Sequence, residues 1–178
     1  MKDIRIERLE HGRLSEARKL VWRCFPWQTP CERLSFWAIA NRGSPYVQRM
    51  MAWVGIADFL DFWGAVDQST GRLLGTTGLY QCACDADEAV WLAWFCVAPE
   101  VRRKGIGSQL LDFSIEAARR TERQYLRLYT SDMSNEAAAQ ILYENRDFSV
   151  TAKKWYLFMS VIYRELRLDL VKNEGTVI

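Results

Sequence analysis

Hydrophobic and polar positions alternate from Ile4 to Leu9, the period of a half-buried strand. From Leu14 to Trp22 the spacing turns helical, with Leu14, Ala17, Leu20 and Val21 sharing one side. Aromatics crowd the stretch from Cys24 to Tyr46, and Pro26, Pro30, Gly43 and Pro45 punctuate it, which predicts short helices and turns. Gln48 to Phe59 reads as a further helix. Trp63 to Asp67 and Leu73 to Tyr80 read as two strands joined by the turn Gln68-Ser69-Thr70-Gly71, a hairpin signal. A small, acidic loop from Cys82 to Ala89 precedes Val90 to Val97, whose apolar residues on both alternating faces mark a strand in the sheet centre. Gly107 to Arg120 is the clearest helix, with Leu111, Ile115 and Ala118 inside and Asp112, Glu116, Arg119 and Arg120 outside. A strand from Tyr125 to Thr130, a helix from Asn135 to Asn145, and strands from Phe148 to Lys154 and Tyr163 to Leu170 follow. The tail from residue 171 to 178 is expected to fray. This order predicts a three-layer α/β (α+β) domain with a central mixed, mostly antiparallel sheet flanked by helices.

Length and composition narrow the class. At 178 residues the chain suits one domain spanning 1–178, without repeat or linker. A net charge of +2 gives no electrostatic footprint for nucleic acid. Arg119, Arg120, Arg123 and Arg127 read as the solvated face and end of a helix. The cysteines Cys24, Cys31, Cys82, Cys84 and Cys96 are odd in number and irregular in spacing, so they do not form a disulfide framework. Cys82 and Cys84 make a C-x-C with no second cysteine or histidine pair to complete a zinc site, and no metal is expected. His11 is the only histidine. The N-terminus lacks a signal-peptide core, and no uncharged apolar run is long enough for a membrane span. A reduced, cytoplasmic protein is expected, with no nucleic-acid or membrane partner; a homodimer is left open.

The chemistry gathers where the central strand meets the clearest helix, in Trp94-Phe-Cys-Val-Ala-Pro-Glu-Val-Arg-Arg-Lys-Gly-Ile-Gly-Ser108. A helix start offers unpaired N–H groups and a partial positive charge, and side-chain-free Gly105 and Gly107 let a ligand approach those amides. Arg102, Arg103 and Lys104 add full charges, so the turn favours a diphosphate. A P-loop would need Lys-Ser or Lys-Thr after its last glycine, and a dinucleotide fingerprint a third glycine; neither is present. Arg102-x-x-Gly105-x-Gly107 resembles the acetyl-CoA-binding signature of the GNAT superfamily of N-acyltransferases. Ser134-Asn-Glu-Ala-Ala-Ala-Gln-Ile-Leu-Tyr-Glu-Asn-Arg-Asp-Phe148 is similar to a second GNAT motif, N-x-x-A-x-x-L-Y-E-x-x-G-F.

The resemblance covers residues 4 to about 170 and is specific between Trp91 and Phe148. It implies the GNAT fold, with residues 90–148 as an acetyl-CoA-binding core and 10–60 as a helical acceptor side. It further implies that the backbone of Phe95, Cys96 and Val97 holds the pantetheine arm and that Arg103, Lys104, Gly105, Ile106, Gly107 and Ser108 hold the diphosphate. Tyr143 then protonates the coenzyme thiolate. Two positions depart from the pattern. The family asparagine falls on Glu136, with Asn135 one residue early and read as a helix cap or coenzyme contact, and Asp147 replaces the glycine. The general base is assigned to Glu88, nearest the start of the central strand, or to an ordered water. Trp22, Phe25, Trp27, Phe36, Trp37 and Tyr46 are read as core packing ahead of an acceptor pocket. The expected activity is N-acetyl transfer from acetyl-CoA to a primary amine by direct attack. An acyl-CoA-binding sensor of the same fold is the alternative, and a nucleotide-binding protein a third reading.

Overall fold

The computed structural model describes residues 3–26, 28–156 and 159–168. Its elements run β1 (Ile4–Arg8), α1 (His11–Cys24), α2 (Pro30–Ala40), α3 (Pro45–Trp53), β2 (Ile56–Asp67), β3 (Leu73–Cys82), β4 (Ala89–Val97), a 3₁₀ turn (Pro99–Val101), α4 (Ile106–Arg119), β5 (Tyr125–Ser131), α5 (Ala137–Glu144), β6 (Ser149–Tyr156) and β7 (Met159–Arg167). The strands form one seven-stranded sheet in the order β1-β2-β3-β4-β5-β7-β6. Every neighbouring pair is antiparallel except β4 with β5. This is the mixed, helix-flanked sheet that the element order predicts. The tail beyond Leu168, part of the last predicted strand, and Trp27 lie outside the described residues. Among the described residues no helix is long and apolar enough to cross a membrane.

Two clusters of buried side chains hold the helices on the sheet. One joins Val21 of α1, Phe36 of α2 and Met51 of α3 to Phe62 and Leu74 of the sheet. The other joins Leu111 and Ile115 of α4 and Tyr143 of α5 to Val90, Leu126 and Leu128. The stripe read in α1 is buried as its spacing indicates, at Leu14, Ala17, Leu20 and Val21. The turn after Asp67 is the expected hairpin, with the Gly71 N–H donating to the Asp67 carbonyl at 2.8 Å and Gly71 at φ 68°.

Two stretches differ from the sequence reading. The proline-punctuated region contains a regular helix, α2, because Thr29 and Glu32 close a reciprocal capping box and Pro30 sits in the first turn. The helix expected over Gln48 to Phe59 stops at Trp53. Gly55, at φ 81°, takes the left-handed position that ends a helix, and the chain leaves as β2.

Gly75 of β3 lies where the backbone of β4 and α4 close together. A Cβ there would stand 2.7 Å from the Cys96 carbonyl oxygen and 2.8 Å from Leu110 Cδ1. The carbonyl belongs to a paired strand and has little room to yield. Gly75→Ala is expected to destabilise the fold by about 2 kcal/mol through overpacking, a fall of roughly 4–8 °C in melting temperature for a chain of this size. An unchanged thermal denaturation midpoint would show that β4 relaxes away from α4.

Candidate active site

Strands β4 and β5 start as a parallel pair and then part. Their register holds for Ala89↔Tyr125, Val90↔Leu126 and Trp91↔Arg127, and no pair follows. Beyond it, β4 still pairs with β3 on its other side, through Thr76↔Cys96 and Gly75↔Val97. The β5-facing edge of Phe95, Cys96 and Val97 therefore borders a gap. Between Ala93 and Cys96 the β3–β4 register slips, and Trp94 takes φ 47°, a costly conformation for a bulky side chain. Three contacts hold it there. Thr76 Oγ1 donates to the Trp94 carbonyl at 2.8 Å, Trp94 Nε1 donates to Ser35 Oγ at 3.0 Å, and the indole stacks on Phe36. The bulge bends β4 where the two strands separate.

The gap opens into a cleft of about 1040 Å³, walled by Phe95 and Cys96 on one side and Leu128 and Tyr129 on the other. Its far end meets the head of α4, where Arg103 (φ 59°) and Gly105 (φ 80°) are both left-handed. Such alternation turns successive N–H groups toward one point, forming an anion-binding nest. Among the described residues, no backbone N–H from Arg103 to Ser108 has a protein acceptor. The first ladder bond of the helix is Gln109 N–H to the Gly105 carbonyl, at 3.1 Å. Arg102, Arg103, Gly105, Ile106, Gly107 and Ser108 all line the cleft; Lys104 is exposed beside it. These residues fit a diphosphate, since buried or ligand-facing amides demand acceptors.

Tyr143, on the last turn of α5, is buried between Phe95 and Phe148, with ring centroids 5.8 and 5.7 Å away, and also lines the cleft. Its hydroxyl has no hydrogen-bond partner among the described residues. Burial, reinforced by the nearby Glu136 carboxylate, pushes its pKa well above the ordinary phenol value, so it stays protonated. Asp147 takes φ 61°, the left-handed turn that a glycine would otherwise supply.

The acetyltransferase (GNAT) domain model matches residues 58–150, just over half of the chain. The chain belongs to the GNAT acetyltransferase family. GNAT structures with the same fold include a GNAT-family protein from Desulfovibrio desulfuricans, at TM-score 0.69 and 20% identity, covering 94% of this chain and 100% of that one. The ribosomal-protein-S18-alanine N-acetyltransferase of Escherichia coli aligns at TM-score 0.66 and 18% identity over 97% and 99% of the two chains. The yncA protein of Salmonella typhimurium, solved with its cofactor acetyl-CoA, aligns at TM-score 0.65 and 15% identity over 97% and 98%. No curated protein matches the chain.

Within this GNAT fold the structure separates Glu88 from the other site residues. Glu88 precedes the paired end of β4, is half-exposed, and lies 3.0 Å from Arg127 in an ion pair. It does not line the cleft. Glu88 lies at the paired end of β4, and the cleft opens at the opposite end of the strand. Arg127 is no solvated helix end. It lies on β5 and binds Asp85 at 2.7 Å and Glu165 at 2.6 Å as well, and these partners raise its pKa despite partial desolvation. Asn135 does not cap α5. Its amide donates to the Cys24 carbonyl at 3.3 Å, joining α5 to the end of α1 at the cleft margin. Glu136, in the family asparagine position, accepts from Thr130 Oγ1 (2.7 Å), Ser131 N–H (3.0 Å) and Ser131 Oγ (2.6 Å), so both its oxygens are committed to the end of β5.

Two groups went unassigned in the sequence. Glu32 lines the cleft from the first turn of α2, and its Oε2 accepts from Thr29 N–H (2.7 Å) and Thr29 Oγ1 (2.9 Å). The T-x-x-E spacing was the available signal. Asp85 brings a carboxylate within 4.8 Å of the Cys82 and Cys84 thiols, themselves 2.9 Å apart. That carboxylate also binds Arg127 and Trp91 Nε1. The aromatics after β1 divide: Phe36 is buried, Phe25 lines the cleft, and Trp22, Trp37 and Tyr46 are exposed.

Proposed function

We propose that this chain transfers an acetyl group from acetyl-CoA to a primary amine by direct attack within a ternary complex. The observation that carries this reading is the run of N–H groups from Arg103 to Ser108 that find no acceptor among the described residues, opening into the same cleft as the β5-facing edge of β4 and the Tyr143 hydroxyl, which has no partner among those residues either. Residues 90–148 form the coenzyme half of the site, and residues 10–60 border the acceptor half.

Each residue has a physical task. The N–H groups at the head of α4, with Arg102 and Arg103, bind and orient the diphosphate. Main-chain groups on the β5-facing edge of Phe95, Cys96 and Val97 supply strand-like hydrogen bonds to the amides of the pantetheine arm. Bound there, acetyl-CoA supplies an activated acyl group as a thioester. An alkylamine has a pKa of about 10.4 and must shed a proton before it attacks. Glu32 is a carboxylate on the acceptor side of the cleft, held by Thr29 and in hydrogen-bond reach of the Tyr129 hydroxyl, and takes that proton directly or through an ordered water. Tyr143, kept protonated by burial, donates its proton to the departing thiolate.

The test is ligand-dependent stability followed by turnover. Acetyl-CoA at 100 times its Kd stabilises a binding protein by about 2.7 kcal/mol, roughly a 5–10 °C rise in melting temperature here. ATP and NAD are expected to produce no such rise. Free thiol should then appear from acetyl-CoA only in the presence of a suitable member of an amine panel. Stabilisation by ATP without stabilisation by acetyl-CoA would overturn the reading.

A further inference from the structure

The thiols of Cys24 and Cys96 take no part in the proposed acetyl transfer, yet both residues line the cleft from opposite elements. Cys24 is the last residue of α1 and Cys96 sits on β4. Their side chains belong to one packed cluster, and both are largely buried. Cys24 Sγ lies 3.6 Å from the Val97 carbonyl oxygen, and Arg102 Nε donates to that same oxygen at 3.1 Å. A guanidinium and a thiol are thus gathered on one acceptor. Cys96 Sγ lies 3.3 Å from Thr76 Oγ1.

We propose that Cys24 and Cys96 form a dithiol modification site, in which Cys24 is the thiol attacked by hydroperoxides and Cys96 the thiol that resolves it into a disulfide across the cleft wall. In the first step the Cys24 thiolate attacks one peroxide oxygen and the O–O bond breaks. A Cys24 sulfenic acid forms, and the other oxygen leaves as alcohol or water after taking up a proton. In the second step Cys96 sulfur attacks the Cys24 sulfur, the S–O bond breaks, and water departs with the Cys96 proton. The two electrons that reduce the peroxide come from the cysteine pair.

The electrostatics assign the order. The Cys96 thiol and the Arg102 and Arg23 charges lower the Cys24 pKa to about 7, against the opposing effect of burial. Cys96, hydrogen-bonded with Cys24 and buried, is pushed well above the ordinary thiol value. The carbonyl end of α1 disfavours negative charge on Cys24, and the two arginines outweigh it. Asn135, packed against the same helix end, contributes a neutral amide. The competing thiols differ in kind. Cys31 and Cys84 are exposed, and hydrogen bonding to Cys82 raises the Cys84 pKa to about 11.

The experiment uses the full chain carrying Cys31→Ser, Cys82→Ser and Cys84→Ser, which retains only the proposed pair. Equimolar hydrogen peroxide at pH 7 should remove both titratable thiols and yield a cross-linked Cys24–Cys96 peptide that dithiothreitol separates. Adding Cys96→Ser should stop the reaction at a dimedone-reactive sulfenic acid on Cys24. In the wild-type chain, iodoacetamide should label Cys24 about tenfold faster than Cys31 at pH 7, with a midpoint near pH 7. Persistence of both free thiols under peroxide, or labelling of Cys24 no faster than Cys31, would overturn the assignment. Peptide mapping of the oxidised wild-type chain supplies the same readout should the triple variant fold poorly; a Cys82–Cys84 link there without a Cys24–Cys96 link also counts against it.

Discussion

Gly107→Glu is expected to abolish acetyl-CoA binding while leaving the fold intact. Gly107 is in the first turn of α4, and a Cβ there would meet only side chains: Leu142 Cδ1 at 3.1 Å, Val97 Cγ2 at 3.6 Å and Phe95 Cζ at 3.9 Å. The neighbours can give by a few tenths of an ångström, so Gly107→Ala should bind nearly as well as the parent chain. Glutamate changes the electrostatics. A carboxylate about 4 Å from a diphosphate charge costs about 4 kcal/mol at the effective dielectric of a protein surface, which alone is a loss of roughly three orders of magnitude in affinity. The same carboxylate is favourable to the free protein, because negative charge suits a helix N-terminus. Binding should therefore vanish while the melting temperature of the free protein holds or rises slightly. Calorimetric titration with acetyl-CoA and a thermal scan of the free variant separate the two effects. Normal affinity in a folded Gly107→Glu chain would place the diphosphate elsewhere.

The sequence displayed those parts of the site that depend on local pattern. The head of α4 was legible because a doubly apolar strand, a basic glycine-bearing turn and an amphipathic helix follow one another directly, and each leaves its own signature. Tyr143 was legible from its place in a motif. Other parts depend on partners distant in the chain. The start of β2 was hidden because its register with β3 slips between Ile56 and Asp58 and again between Phe59 and Asp61. Those bulges break the alternation by which a strand is recognised. The left-handed Trp94 could not be foreseen, since Thr76 and Ser35 hold it from two other elements.

The position of Glu88 away from the cleft has a related reason. Closeness in sequence to the central strand fixes only which end of it a residue occupies. The cleft lies at the other end, where β4 and β5 have lost their pairing. Glu32, an acidic residue that does face the cleft, belongs to a stretch whose prolines read as turns, although its reciprocal bond with Thr29 marks a helix start. The Cys24–Cys96 juxtaposition joins the end of one helix to the end of a distant strand, and irregular cysteine spacing carries no trace of it.

Tyr143→Phe is expected to lower kcat by about two to four orders of magnitude, the usual contribution of a positioned general acid, with acetyl-CoA affinity changed less than about twofold. The substitution removes only the hydroxyl. Ring contacts to Phe95 and Phe148 persist, and among the described residues no hydrogen bond is lost, so stability should be unchanged or slightly higher. This separates a proton donor from a packing residue, because a packing role would survive the change with full turnover. The pH dependence gives a second check. Since burial raises the Tyr143 pKa, the phenol remains a donor throughout the neutral and mildly alkaline range, and kcat of the parent chain should show no alkaline loss from this group below the ordinary tyrosine pKa of about 10. A falling limb near pH 8 that disappears in Tyr143→Phe would mean that the hydroxyl titrates in the cleft as an exposed or cation-paired group. Unchanged thiol release by the phenylalanine variant would remove Tyr143 from the reaction and leave the thiolate to be protonated by solvent.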